Sequence, residues 1–186
     1  QLKIPLMAGS SCPLAQRRPA IELPRAARIT EAVSIHGGPL EAYGFHALEV
    51  LQSFVEARAG GETGVVSVEY LRGRQLWNAA RQGRWSLKLA EAAMQADLGK
   101  VPRSIQQVPG ESRVTSDGLL IQYADGLKAT MLNIGKNDTR WNFACRLKGE
   151  RRPLSTALNV GPWNNRNLFK ALVHSIQNHF RNGRSP

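Results

Sequence analysis

One segment of the chain, residues 36–49, has a glycine-rich loop that leads into a helix carrying a histidine and an acid. His46 and Glu49 are three residues apart, so a helix places their side chains close enough to interact. An imidazole beside a carboxylate can act as a general acid or base near neutral pH. We therefore take His46 and Glu49 as candidate catalytic residues; the alternative is an ordinary pair of side chains on a helix face.

The loop before this helix supplies further candidates. Gly37 and Gly38 lack side chains, so a ligand can approach their backbone closely. His36 comes directly before them and can enter the same pocket. The alternative for His36 is a loop histidine without a functional role.

The composition predicts a folded domain with a strongly basic surface. The chain has 186 residues, of which 42% are hydrophobic and 21% charged, which is enough apolar material for a core. The net charge is +11, and from Thr139 onward nine lysines and arginines stand against one acid, Glu150. Such a field attracts phosphates, acidic partners or anionic substrates, and does not distinguish among them.

The basic charge suggests nucleic-acid binding as one function of the chain. Arg146 and Lys148 lie among the aromatic residues Trp141 and Phe143. The segment alternates, however, with Trp141 and Phe143 on one face of a strand and the basic residues on the other. This pattern is typical of a half-buried strand with its aromatic residues in the core, so nucleic-acid binding through the basic cluster Arg146–Arg152 is the less favoured alternative.

Hydrophobic periodicity and turn residues predict strands and helices along the whole chain. Strands are expected at 2–8, 29–35, 65–71, 119–123, 127–134, 141–147 and 153–160, helices at 40–58, 75–81, 86–98 and 168–181, and a loop at 100–114. The order favours an α+β fold with an open, mixed, largely antiparallel sheet and helices on one face. The other face would be free to meet a partner. The expected core stripes are Phe45, Leu48, Leu51 and Val55 in the long helix and Phe169, Leu172, Val173, Ile176 and Phe180 in the last one.

The remaining composition argues against a metal site and a membrane span. Cys12 and Cys145 are far apart without metal-ligand spacing, which favours reduced thiols and a cytoplasmic protein. No apolar run approaches the roughly 20 residues that cross a bilayer. A chain that begins with Gln1 instead of methionine is expected to be a processed product or a fragment.

The glycine-rich segments show no nucleotide-binding pattern. The run at 60–64, Gly-Gly-Glu-Thr-Gly, precedes a predicted strand, whereas a phosphate cradle lies before the N-terminus of a helix. The sequence therefore predicts a plain turn at this position.

The candidate segment resembles a motif of the Gfo/Idh/MocA family, the glucose–fructose oxidoreductases and inositol dehydrogenases. That motif is approximately Gly-Gly-x-x-x-x-Asp-x-Gly-x-His-x-x-Asp, and this chain has Gly37-Gly38, Gly44-Phe45-His46 and Glu49. Less specific similarity extends to Tyr123–Thr130 and Asn178–Pro186.

The resemblance implies a fold, a reaction and roles for the candidate residues. Residues 1–28 would be the last strand of a missing Rossmann-like half plus a connecting loop, and residues 29–186 the C-terminal substrate-binding and oligomerisation domain. The complete protein would oxidise a sugar or polyol with NAD or NADP and form a homo-oligomer through the free sheet face. His46 would exchange the hydroxyl proton and Glu49 would orient it, while His36, Gly37, Gly38 and Tyr43 would form the substrate pocket.

Two departures from the family motif support a second hypothesis. Ala42 stands where the motif has aspartate, and Ser11 or Cys12 stands where the family's Glu-Lys-Pro motif has its catalytic lysine. These substitutions favour a non-catalytic binding or scaffold module with the same fold.

Overall fold

A computed structural model of the chain describes residues 9–99, 116–134, 140–160 and 166–182. The strand predicted at 2–8 and the loop predicted at 100–114 lie outside these residues. The described elements are a 3-10 turn (Cys12–Leu14), strands β1 (Gln16–Arg18), β2 (Ile29–His36), β3 (Val65–Arg72), β4 (Asp117–Tyr123), β5 (Lys128–Asn133), β6 (Arg140–Leu147) and β7 (Leu154–Asn159), and helices α1 (Leu40–Val55), α2 (Arg74–Arg81), α3 (Leu87–Leu98) and α4 (Arg166–Asn182).

The seven described strands form one open, mixed sheet in the order β1-β7-β6-β2-β5-β4-β3. β2 and β5 run parallel, and the other described pairs are antiparallel. The predicted α+β class with a mixed, largely antiparallel sheet is therefore confirmed.

The prediction that helices cover one face of the sheet is wrong. On one face Ala32 and its neighbours pack under α1, and on the other Val33 and Ile35 pack under α2 and α3. Residues 32–36 of β2 are all buried, as expected for a strand that is covered on both faces. Each helix requires an apolar surface to pack against, but the periodicity of a helix does not say which face of the sheet provides it.

Helices α2 and α3 form a hairpin over the second face. Ser86 caps α3, with its side chain accepting a hydrogen bond from the N–H of Leu89 at 3.2 Å. The indole N–H of buried Trp85 donates to the carbonyl of Leu76 at 2.9 Å and joins the two helices. Beyond them lies a shallow, mainly polar depression lined by Ser67, Glu69, Arg84, Leu120, Gln122, Lys128 and Thr130. Only this part of the second face remains available to a partner, in the region that the structure describes.

Two predicted core stripes are only partly buried. In α1 the core is made by Ala47, Val50, Leu51, Phe54 and Val55, whereas Phe45 is 56% exposed. In α4 Leu168 is buried, but Phe169, Val173, Ile176 and Phe180 are exposed. Both helices carry apolar residues around more of their circumference than the sheet can cover, so the apolar pattern alone did not identify the buried face.

The segment before β2 contributes to the core, although the family resemblance implied a connecting loop there. β1 pairs antiparallel with β7, and the turn Cys12–Leu14 packs on α1. Cys12 and Cys145 are both buried and free. Burial raises the pKa of the Cys145 thiol to about 12, so this thiol remains protonated and packs as an apolar group.

Candidate functional site

The candidate site lies where the two parallel strands end. β2 ends at His36 and β5 at Asn133, and these two residues are paired in register. α1 begins shortly after, at Leu40, so its N-terminus lies at the same edge of the sheet. The carboxyl edge of parallel strands is where open sheets with helices on both faces bind ligands.

Trp141 is the centre of an aromatic cluster at this edge. Its ring lies 6.3 Å from the His36 ring in a stacked arrangement, measured between ring centroids. Tyr43 and His46 contact it edge-on at 6.2 and 6.0 Å. The structure thus brings together three residues that the sequence singled out, around a tryptophan that the sequence assigned only to the core.

The register of the sheet explains this convergence. Ile35 pairs with Asn142 in antiparallel strands, which places His36 opposite Trp141. Tyr43 and His46 are one helical turn apart in α1, so both contact the same tryptophan from the face of the sheet that carries α1.

Ser10 is a site residue that the sequence did not indicate. Its hydroxyl lies 2.7 Å from Nδ1 of His46, and its oxygen also accepts a hydrogen bond from the N–H of Cys12 at 3.0 Å. The N–H of Ser10 donates to Oε2 of Glu49 at 3.2 Å. His46 and Glu49 are therefore linked through Ser10 instead of binding each other. The family resemblance had placed Ser11 or Cys12, one or two residues further along, at the position of the family's catalytic lysine.

Gly9 lies close to Glu49 and has a φ of 151°, a backbone conformation that glycine adopts more easily than other residues. A Cβ placed on Gly9 would lie 3.0 Å from Oε2 of Glu49, a tight contact that a movement of a few tenths of an ångström by the Glu49 side chain would relieve. The segment before the 3-10 turn therefore sits directly against α1 at the candidate acid.

His36 is held as a neutral imidazole. It is fully buried, and its Nδ1 lies 3.4 Å from the carbonyl oxygen of Gly37, which assigns the hydrogen to Nδ1. Nε2 is then an acceptor, and it has no hydrogen-bond partner among the described residues. Burial lowers the pKa of His36 to about 4, because the charged form would lose its hydration.

This buried histidine predicts a loss of stability in mild acid. The pKa of His36 rises from about 4 in the folded chain to about 6.5 when the chain unfolds, so the unfolded state binds the proton first. The free energy of unfolding should therefore fall as the pH drops through this window, with a slope approaching ~1.4 kcal/mol per pH unit.

Urea denaturation across this pH range measures the effect, with His36→Gln as the control that removes the titrating group. The variant should show a flatter profile than the wild type. Parallel profiles for the two proteins would contradict the prediction.

A row of polar side chains extends from His36 across neighbouring strands. Asn133 pairs with both His36 and Asp117, and its amide donates to Oδ2 of Asp117 at 3.3 Å. Burial raises the pKa of Asp117, while this hydrogen bond and the charge of Arg72 oppose the rise. Asp117 and Asn133 were missed in the sequence because only the strand register brings them beside His36.

The structure also bears on metal binding, phosphate binding and membrane spanning. Among the described residues, no cluster of three or more histidine, cysteine or acidic side chains could hold a metal ion. The glycine run at 60–64 leads into β3, as predicted, and so offers no helix N-terminus for a phosphate. Within the described part of the chain, no helix combines the length and apolar character of a membrane span.

Comparisons with known proteins leave the family of the chain open. No family model matches the sequence, and neither a curated protein nor a solved structure does. The resemblance of residues 37–49 to the Gfo/Idh/MocA motif therefore stays a prediction, and function has to be argued from the geometry of the site.

Proposed function

We propose that the chain is the substrate-binding domain of a Gfo/Idh/MocA-like oxidoreductase that acts on a sugar or polyol. One observation carries the proposal: His36, Tyr43 and His46 converge on Trp141 at the carboxyl edge of β2 and β5. Aromatic walls with a few polar groups are typical of small-molecule sites. A titratable imidazole at the rim of such a wall suits proton transfer to a bound hydroxyl.

In this proposal His46 exchanges a proton with the substrate. The contact with Ser10 occupies Nδ1, so Nε2 is the nitrogen left to face a substrate hydroxyl. The serine oxygen can accept from Nδ1–H in both states, when Nε2 of the neutral imidazole takes the proton and when Nε2–H of the imidazolium returns it. Ser10 would therefore orient the imidazole, which is the role that the resemblance gave to Glu49.

NAD or NADP remains an implication of the resemblance alone. The glycine loop before α1 has Gly37-Gly38-Pro39 and not the Gly-x-Gly-x-x-Gly pattern that holds the diphosphate of a dinucleotide, so we do not place one there. We assign no step to the cofactor. In this proposal the chain binds the substrate and transfers a proton. Homo-oligomer formation through the sheet face would use the polar depression beside β3 and β4.

Titration with neutral polyols tests the proposal. NMR spectra recorded with myo-inositol, D-glucose and D-glucitol should show shifts of the His46 ring and the Trp141 indole signals. His46→Gln should remove the His46 response, whereas His174→Gln, at an exposed position of α4, should change nothing. If none of these polyols shifts the Trp141 signal, the proposed site is wrong.

A non-catalytic binding module of the same fold is the second candidate. It is favoured by the position of Glu49, whose carboxylate accepts from the N–H of Ser10 instead of orienting His46. Calorimetry with NADH and NADPH on the protein in its full natural length separates the two functions. Polyol binding without binding of either nucleotide would support the module and exclude the oxidoreductase.

Removal of the Ser10 hydroxyl should change the hydrogen bonding of His46. In Ser10→Ala the Nδ1 atom loses its partner, so we expect the ¹⁵N shift of Nδ1 to move and the free energy of unfolding to fall by about 1 kcal/mol. Ser11→Ala is the matched control, because the neighbouring Ser11 side chain makes no capping bond. An unchanged Nδ1 shift in Ser10→Ala would show that the contact does not form in solution.

A further inference from the structure

One side of helix α4 is apolar and exposed. The side chains on this side, which we call the α4 stripe, are between 38% and 60% exposed: Phe169, Val173, Ile176 and Phe180. Leu168 and His179 are buried on another side of the helix, and α4 packs on the turn Cys12–Leu14. The α4 stripe therefore contributes little to holding the helix on the domain. A contiguous exposed patch of large apolar side chains marks a surface that binds a partner.

The spacing of the α4 stripe is that of a seam between two helices. Its members follow one another at steps of four, three and four residues, as the inward-facing positions of a two-stranded coiled coil do. At about 100° per residue they fall within an arc of ~60°, whereas a helix that packs on a broad apolar surface carries an arc of about 100° or more. The α4 stripe therefore fits the apolar stripe of one other helix better than a wide groove or a membrane surface.

Basic side chains flank the α4 stripe. Lys170 and Arg181 are exposed and lie ~100° around the helix from the centre of the stripe, on the side opposite to the buried residues. The sequence of α4 contains no aspartate or glutamate. A second copy of α4 would bring the same positive charges to the contact, which opposes pairing of the chain with itself. Acidic side chains beside the apolar stripe of a different helix would instead be attracted.

We propose that α4 docks an amphipathic helix of a partner protein that has apolar residues at heptad spacing and acidic side chains beside them. The apolar residues of the partner helix pack on the α4 stripe, and its acidic residues face Lys170 and Arg181. The α4 stripe shares no residue with the cluster around Trp141, so this surface is independent of the proposed function.

Two synthetic peptides with opposite flanking charges test the docking surface. One consists of three repeats of Glu-Ile-Ala-Ala-Leu-Glu-Lys and the other of three repeats of Lys-Ile-Ala-Ala-Leu-Lys-Glu, so both carry the same apolar seam. Fluorescence anisotropy of the labelled peptides with the full chain should give a Kd at least tenfold lower for the glutamate-rich peptide, and about 0.5 M NaCl should reduce this difference. No binding of the glutamate-rich peptide, or equal binding of the two peptides, would overturn the proposal.

Variants with matched controls locate the contact on α4. Phe180→Ala should weaken the binding of the glutamate-rich peptide about tenfold, whereas Phe45→Ala, at a ring on α1 with the same exposure of 56%, should leave it unchanged. Lys170→Glu should also weaken it, with Lys88→Glu at an exposed position of α3 as the control. All four side chains are exposed, so the variants are expected to fold. Equal affinities in a variant and its control would place the peptide elsewhere and so contradict the proposal.

Two further measurements separate the other possible occupants of the α4 stripe. The first is co-sedimentation of the chain with vesicles of phosphatidylcholine and phosphatidylglycerol at roughly 7:3. Vesicle binding that Phe180→Ala abolishes, without binding of the glutamate-rich peptide, would assign the stripe to a membrane. The second is sedimentation velocity, in which a wild-type dimer that becomes a monomer in Phe180→Ala would assign the stripe to a second copy of the chain. Either result would overturn the proposal.

Discussion

Replacement of Phe143 by alanine is expected to lower the free energy of unfolding by about 4 kcal/mol, the largest effect expected here for a single substitution. Phe143 lies on strand β6, between β7 and β2, and is fully buried. Its ring stacks on Phe54 of α1, with centroids 4.0 Å apart and planes inclined by 8°. Alanine would remove both the buried area and the stacked partner of Phe54, and would leave a cavity between the sheet and α1.

Urea denaturation of wild type and variant measures this loss. Phe169→Ala is the matched control, because the same substitution is made on α4 at a ring that is 60% exposed. The control should change the free energy of unfolding by no more than ~0.5 kcal/mol. Similar losses in the two variants would mean that the side of α4 facing solvent in this structure is covered in the native protein.

Arg58→Ala is expected to cost about 3 kcal/mol, because a buried charge network would lose its centre. The Arg58 side chain is 1% exposed, and its guanidinium lies 4.9 Å from the centroid of the Tyr123 ring. It donates to Oδ2 of Asp125 and to the hydroxyl of Thr63, each at 2.8 Å, and also to the carbonyl of Val55. The variant leaves these acceptors without their donor. It also removes the hydrogen bonds that link the end of α1 to the turn between β4 and β5.

The exposed pair of Arg84 and Glu69 provides the control for this prediction. Its side chains are 41% and 47% exposed, so Arg84→Ala should cost less than ~1 kcal/mol. Thermal and urea denaturation of both variants make the comparison. A loss in Arg58→Ala as small as that in Arg84→Ala would show that the network around Arg58 contributes little to stability.

Local patterns predicted most elements of this fold correctly. The turn at Asp125-Gly126 separates β4 from β5 as expected, with Gly126 at φ 89°, a backbone conformation that glycine adopts easily. Ser86 caps α3, and the alternation at 141–147 corresponds to β6. These signals were reliable because each depends on residues that are close together in the chain.

Features that depend on distant residues could not be predicted in the same way. Phe45 was expected in the core, but the sheet covers the side of α1 that carries Ala47, Val50 and Phe54. Glycine-histidine spacing identified His46, yet its partner Ser10 comes from a segment that no local pattern connects to α1. The row from His36 to Asp117 depends on strand register, which hydrophobic periodicity does not fix for strands with two buried faces.

The central position of β2 has a consequence for the order of folding. Its neighbours β5 and β6 lie about a hundred residues further along the chain, and pairings of this kind form slowly because a long loop must close first. The backbone hydrogen bonds of α1, α2 and α3 join residues that are close in the chain, so these helices can form early. The contact of His36 with Trp141 requires β2 and β6 to be paired already. The candidate site around Trp141 is therefore expected to assemble in one of the last steps of folding, after most of the helical structure is present.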